Sequence, residues 1–153
     1  MSLECIEEKA RESGGRIIET EGSVKTVEQA SKRTGVEVGS IIKTLLFVGQ
    51  KGVYAVVLPG DRRASIEKLE LLLGEKGLRL ARPSEVRELT GYEAGGLPPF
   101  CLGDKVSVLL DFRVLERGLV VGGGGSTRRL VEVPSKAILE LNRGARVVDA
   151  SSD

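Results

Sequence analysis

Residues 41–58 read Ile41-Ile42-Lys43-Thr44-Leu45-Leu46-Phe47-Val48, then Gly49-Gln50-Lys51-Gly52, then Val53-Tyr54-Ala55-Val56-Val57-Leu58. Two apolar runs rich in β-branched residues flank a short glycine-bounded turn. That pattern predicts a β-hairpin over 43–48 and 53–58. Lys43 interrupts the first run. If it opens the strand, its same-face neighbours are Leu45 and Phe47. An ammonium in that company either snorkels out from the strand end or lines a cleft.

Working outward, Leu3, Ile6 and Ala10 fall at helical spacing and Gly14-Gly15 stops them. A short strand follows over 16–20. Thr26-Val27-Glu28-Gln29 is a capping-box pattern that opens a helix over 27–33, ended by Gly35. Residues 38–42 read as a further helical turn. Beyond the hairpin, Ser65 caps a helix over 66–73 that Gly74 ends. A short strand over 78–81 and a helix over 85–89, capped by Ser84, come next. Residues 90–104 form a loop holding Gly91, Gly95, Gly96, Pro98, Pro99 and Gly103. A loop of that length inside a compact domain is usually functional. An apolar strand over 106–110 ends at Asp111. Strands over 119–121 and 129–133 flank Gly122-Gly123-Gly124-Gly125-Ser126. A last helix runs to Leu141 and a last strand covers 146–149. Strands and helices mix without strict βαβ alternation, so the fold class is α+β with a mixed, strongly curved sheet.

The chain has 153 residues, the size of a single domain over 1–153. With 41% hydrophobic and 29% charged residues it is globular, not disordered. Its net charge of +1 excludes a strongly electropositive coat, so any nucleic-acid contact must be local. It has no His, which removes Ser-His-Asp and Cys-His catalysis and most zinc chemistry. Cys5 and Cys101 lie far apart with no CxxC and read as free thiols in a reducing compartment. The acidic N-terminus lacks a signal peptide's blocks, and no apolar run approaches the ~20 residues that span a bilayer. The expectation is a cytoplasmic protein. A single Asn and two Gln beside abundant charge fit a thermophile's composition.

Several features admit two readings. The glycine run over 122–125 is either an anion cradle or a flexible hairpin tip. No Gly-Lys-Ser/Thr follows it, so it is not a Walker loop. Ser40-Ile41-Ile42-Lys43 has the S-x-x-K spacing of serine acyl-transfer enzymes, without their companion motifs. Asp111 either caps the turn after its strand or positions a reacting group. Cys101 would need a nearby Lys or helix N-terminus to act as a nucleophile, and otherwise packs.

Taken in order, these pieces resemble the YbaK/ProX family of aminoacyl-tRNA deacylases, related to the editing domain of bacterial prolyl-tRNA synthetase. The resemblance covers about residues 26–149. It rests on 41–47, on Val56-Val57-Leu58-Pro59-Gly60-Asp61, and on Thr90-Gly91-Tyr92 leading to Gly96-Leu97-Pro98-Pro99-Phe100. Val108-Leu109-Leu110-Asp111 and the glycine hairpin ending at Ser126 complete it. One departure is Cys101, where the family pattern leads one to expect Gly.

The resemblance implies a barrel-like curved sheet with flanking helices. It also implies a trans-editing hydrolase that cleaves the ester of a mischarged small amino acid, Cys or Ala, on a tRNA for proline. Lys43, Gly96, Pro99 and Asp111 match the family's functional positions. Thr44, Gly95, Leu97, Pro98, Gly124, Gly125 and Ser126 would surround the substrate. The implied partner is the 3′ acceptor end of an aminoacyl-tRNA, with a synthetase as a further partner and no membrane.

An aminoacyl ester is already activated, so positioning and electrostatics suffice without a His or any metal or organic cofactor. Lys43 would grip the terminal phosphate or the ester carbonyl. Backbone N–H groups of Gly95-Gly96 and Gly124-Gly125 would hold the oxyanion. Asp111 would orient a water or hold its loop. The alternative is a binding module for aminoacyl-tRNA or a synthetase that hydrolyses nothing.

Overall fold

The computed structural model describes residues 3–153. Helix α1 (Leu3–Glu12) buries Ile6 and Ala10 and leads into β1 (Arg16–Glu19). Helix α2 (Val27–Thr34) begins where the Thr26 side chain accepts the Gln29 N–H, and Gly35 ends it in the left-handed conformation. Strands β2 (Ile42–Val48) and β3 (Val53–Pro59) form the hairpin, in register from Ile42–Pro59 to Val48–Val53. Then come β4 (Arg63–Ala64), α3 (Ile66–Leu73), β5 (Arg79–Leu80), α4 (Pro83–Thr90) and β6 (Val106–Asp111). Last are β7 (Leu119–Gly123), β8 (Arg129–Pro134), α5 (Ser135–Leu141), β9 (Arg146–Val148) and β10 (Ser151–Ser152).

The central sheet has the order β5-β2-β3-β6-β9, antiparallel around the hairpin and parallel from β3 to β9. It is buried on both faces. Ala55 and Val57 of β3 face a first core with Ile42, Phe100, Leu110 and Ile138. Tyr54, Val56 and Leu58 face a second, under α3, with Phe47, Leu69 and Leu109. Val56, Val57 and Leu58 are fully buried, each stabilising the fold by about 2 kcal/mol relative to exposure. A second sheet, β1-β8-β7, lies beside it, and a two-stranded ladder joins β4 to β10. A third core of Val24, Ala30, Ile41, Val121 and Leu130 fills the angle between α2 and the two larger sheets.

The expected mixed α+β architecture is present. The sheet is not closed into a barrel: β2 and β7 meet through one isolated parallel bridge, Ile41–Val121. The helical turn expected over 38–42 is present but shorter. Val38–Ser40 form a single 3-10 turn and β2 begins at Ile42. Helix α4 starts before Ser84, because Pro83 suits the first helical position, where its missing N–H is no loss.

The two cysteines correct the free-thiol reading. Cys5 and Cys101 form a disulfide, with Cα atoms 6.1 Å apart across 96 residues of sequence. Cys101 holds a φ of 64°, in the left-handed region that favours glycine. Folding lays α1 against the loop after Phe100, and no sequence spacing records that proximity. No helix among the described residues is long and apolar enough to cross a membrane.

Candidate functional site

The seam between the two larger sheets opens into a cleft of about 250 Å³. Strand β2 pairs with β5 only through Phe47 and Val48, and its neighbour β7 is bridged to this segment only at Ile41, just before β2. Between those points the outer edge of β2 belongs to no ladder. Leu46 C=O points to that edge, because it accepts the Ala81 N–H at 2.8 Å. Strand alternation then points the Thr44 N–H the same way, into the gap. Lys43, Thr44 and Leu45 line one wall, and Gly122, Gly123 and Leu130 another. Val24, Lys25, Thr26, Val27 and Ala30 form the α2 side, and Ala94, Gly95 and Leu97 close the top. The floor is the third core, so the cleft is apolar with few polar groups, as small-ligand sites are.

Lys43 is half-buried, and among the described residues no hydrogen bond or ion pair holds its ammonium. Burial lowers its pKa below the ordinary lysine value. Glu28 and Asp61 pull it back up, while Arg63 lowers it further. Both acids arrive by identifiable local structure. Glu28 sits in the first turn of α2, and Asp61 follows the Pro59-Gly60 turn, whose Gly60 N–H bonds Ile41 C=O at 2.6 Å.

The glycine loops are bound to one another. Gly125 N–H donates to Gly96 C=O at 2.8 Å, Gly124 N–H to Arg129 C=O at 2.9 Å and Gly96 N–H to Glu93 C=O at 3.0 Å. A Cβ on Gly96 would lie 2.5 Å from the Ser126 backbone, and one on Gly123 would lie 2.5 Å from Leu97 C=O. Glycine is required there so that two backbones can touch. Of the four glycine N–H groups expected around an oxyanion, three are therefore occupied. Only Gly95, exposed in the 3-10 turn Ala94–Gly96 at the cleft mouth, has no backbone partner among the described residues.

Of the residues singled out in the sequence, Lys43, Thr44, Gly95 and Leu97 come together in the cleft. Gly96, Pro98, Pro99 and Gly125 are buried behind it, with Pro99 C=O accepting Asn142 Nδ2 at 2.9 Å. Gly124 is buried in the hairpin, and Ser126 Oγ accepts the Arg128 N–H at 3.2 Å. Ser40 ends its 3-10 turn and Lys43 lies in a strand, so no helix face joins them.

Asp111 is also outside the cleft. It is fully buried at the end of β6, with one carboxylate oxygen accepting the Arg113 N–H at 3.0 Å and the other the Ala150 N–H at 3.0 Å. Arg113 bridges it to Asp149, which Lys68 also meets at 3.0 Å. Its position is that of a structural clasp, not of a group facing substrate.

The sequence reading missed the whole α2 wall and the free edge of β2. The Thr26 capping box was the available signal for the first. Nothing local marks the second. Among the described residues, no group of three or more His, Cys, Asp or Glu could hold a metal ion.

The family model for the aminoacyl-tRNA editing domain matches residues 21–141. The proline–tRNA ligase of Thermosipho melanesiensis is 35% identical over 127 residues, 82% of this chain and 22% of that protein. This chain spans about a fifth of the length of such ligases. EbsC of Enterococcus faecalis, named as a candidate Cys-tRNA(Pro)/Cys-tRNA(Cys) deacylase, is 28% identical over 120 residues, 78% of this chain and 73% of that protein. The crystal structure of a candidate trans-editing enzyme for prolyl tRNA synthetase superposes with a TM-score of 0.85 at 34% identity, covering 99% of this chain and 100% of that one.

Proposed function

The chain belongs to the aminoacyl-tRNA editing domain family, and we propose that it is a trans-acting deacylase that hydrolyses a small mischarged amino acid from a tRNA. The observation that carries this reading is the half-buried, unpartnered Lys43 ammonium at the edge of an apolar cleft of about 250 Å³. An anionic or polarised oxygen is what such a site lacks.

In this reading Lys43 holds the terminal phosphate or the ester carbonyl. The Thr44 N–H at the free strand edge and the Gly95 N–H stabilise the oxyanion, in place of the glycine-hairpin amides that the fold has already used. Each donor of this kind is worth about 3 kcal/mol of barrier. Water adds to the ester carbon, the bond to the ribose oxygen breaks, and the water proton passes to that oxygen. The products are a free amino acid and a tRNA with its 3′-terminal ribose hydroxyl restored. No covalent enzyme intermediate forms.

Val24, Val27, Ala30, Ile41 and Leu130 shape the floor and admit a short side chain such as that of Ala or Cys. A larger cognate residue is rejected by clash, since excluding something bigger is the easier direction. The whole chain acts as one editing domain in the cytoplasm, alongside the synthetase that makes the error. A disulfide there is consistent with a thermophile's intracellular proteins.

The test is deacylation of a panel of radiolabelled aminoacyl-tRNAs by wild type and Lys43→Ala. Cleavage of one mischarged tRNA, lost in Lys43→Ala, is the expected result. Binding of tRNA with no cleavage of any member would replace the deacylase with a binding module.

A further inference from the structure

We infer that the single-stranded 3′ end of the tRNA leaves the cleft along one basic groove, held there by its phosphates; this rests on the deacylase reading above. Lys25, Ala94 and Gly95 line both the cleft and a second depression, which continues between Pro83, Ser84 and Arg87 of α4 and Thr127 of the β7–β8 hairpin. The two depressions share that wall, which leads from the Lys43 cleft toward α4. Thr127 Oγ1 donates to Ser23 Oγ at 3.3 Å, and beyond Ser23 lies a further depression lined by Gln29, Lys32 and Arg33 of α2.

Four cations therefore line these depressions: Lys25, Lys32, Arg33 and Arg87. Among the described residues none of them is in an ion pair. Arg62, Lys68, Arg79, Arg113 and Arg117 are each tied to a carboxylate, whereas Lys76, Lys105, Lys136, Arg143 and Arg146 are also outside the ion pairs, so the clustering of cations marks the groove. Glu93 lines the groove, and Glu21 and Glu28 flank its α2 side, so the charge there is mixed but favours an anion.

A chain whose net charge is +1 gains affinity for a polyanion only by leaving cations uncommitted where the polyanion passes. Every phosphate so neutralised releases counterions. No aromatic side chain lines the groove, so bases do not stack there and the groove reads backbone charge rather than base identity.

The test uses the intact protein and a fluorescently labelled single-stranded RNA ending in CCA, titrated by anisotropy at several salt concentrations. The double variant Lys32→Gln with Arg87→Gln should bind several-fold more weakly, with a salt slope shallower by about 0.7 for each phosphate that it no longer neutralises. Lys76→Gln, exposed after α3, should bind as wild type. In deacylation the double variant should raise KM for mischarged tRNA at unchanged kcat. It should leave hydrolysis of a phosphate-free aminoacyl-adenosine untouched.

Equal binding by wild type and double variant, or no binding by wild type, overturns the groove assignment. Stronger binding of a duplex acceptor stem than of the single strand overturns the choice of ligand. If wild type binds the RNA in this groove but cleaves no aminoacyl ester, the deacylase reading falls and the groove stands.

Discussion

Lys43 and Asp111 stand at comparable places and meet opposite fates. Each is a charge at the end of an apolar strand in the same sheet. Lys43 pairs in register with Leu58, and the Val57–Leu110 pairing puts Asp111 beside Leu58 from the other side. Asp111 is buried with both oxygens engaged, and through Arg113, Asp149 and Lys68 it fastens the C-terminal segment to α3. Lys43 has none of this. A charge whose hydrogen-bonding capacity is filled by the protein can only hold the protein. A charge left half-desolvated and unmatched keeps its capacity for a ligand. The clasp fastens itself, whereas the cleft wall is fastened from behind, by the interlocked glycine loops and the Cys5–Cys101 bond.

Breaking that rear fastening should have the largest effect. The disulfide closes a loop across 96 of the 153 residues, so reduction, or Cys5→Ala with Cys101→Ala, should cost about 4 kcal/mol of stability. Denaturant midpoints with and without reductant measure it, and an unchanged midpoint would mean that packing alone holds α1 to the loop. Next comes the clasp. Asp111→Ala strands Arg113 and two N–H groups and should cost about 3 kcal/mol, with kcat/KM of the folded protein within about twofold of wild type. If activity vanished in a protein still folded, Asp111 would belong to the chemistry and the contrast would collapse.

Lys43→Ala should do the reverse. The expected loss in kcat/KM is about a hundredfold, equivalent to about 2.7 kcal/mol, with the unfolding midpoint unchanged or slightly raised. The smallest effect separates the two regions by pH. Burial lowers the Lys43 pKa from its ordinary 10.5, so between the folded value and 10.5 the unfolded chain binds more protons. Lys43 then favours folding increasingly as pH rises through that window, while cleavage that needs the ammonium declines in it. Asp149 behaves oppositely: hydrogen bonds from Lys68 and Arg113 hold its pKa below 3.8. Its contribution is complete above 3.8 and is lost as pH falls through the folded value. A pH–rate profile, corrected for alkaline ester hydrolysis, should show alkaline loss of activity. Chemical denaturation at a series of pH values should show acid loss of stability that Asp149→Asn reduces, the remainder coming from Glu75 and Glu85, whose pKa values are also lowered.

Much of this molecule is local. The β2–β3 hairpin follows from two apolar runs around a glycine-bounded turn, and α2 and α3 end at Gly35 and Gly74 because only a left-handed residue completes those helices comfortably. Lys43 stood out because a charge in an apolar run always needs an explanation. The β4–β10 ladder was invisible because two-residue strands carry no period.

The site needed more than pattern. The glycine hairpin has the composition of an anion cradle, yet its N–H groups are turned onto Gly96 and Arg129 carbonyls, because two loops remote in sequence fold against each other. The Thr44 N–H faces a gap because β2 parts from β5 before β7 forms a ladder with it. The disulfide exists only because α1 returns to a loop almost a hundred residues away. Residue order by itself settled which segments are strands and helices, where they stop and which charge is out of place, since those depend on neighbours along the chain. Which polar groups are spent and which remain for a ligand was decided by tertiary structure alone, since a hydrogen bond is claimed by whatever lies within 3 Å, not by what lies next in sequence.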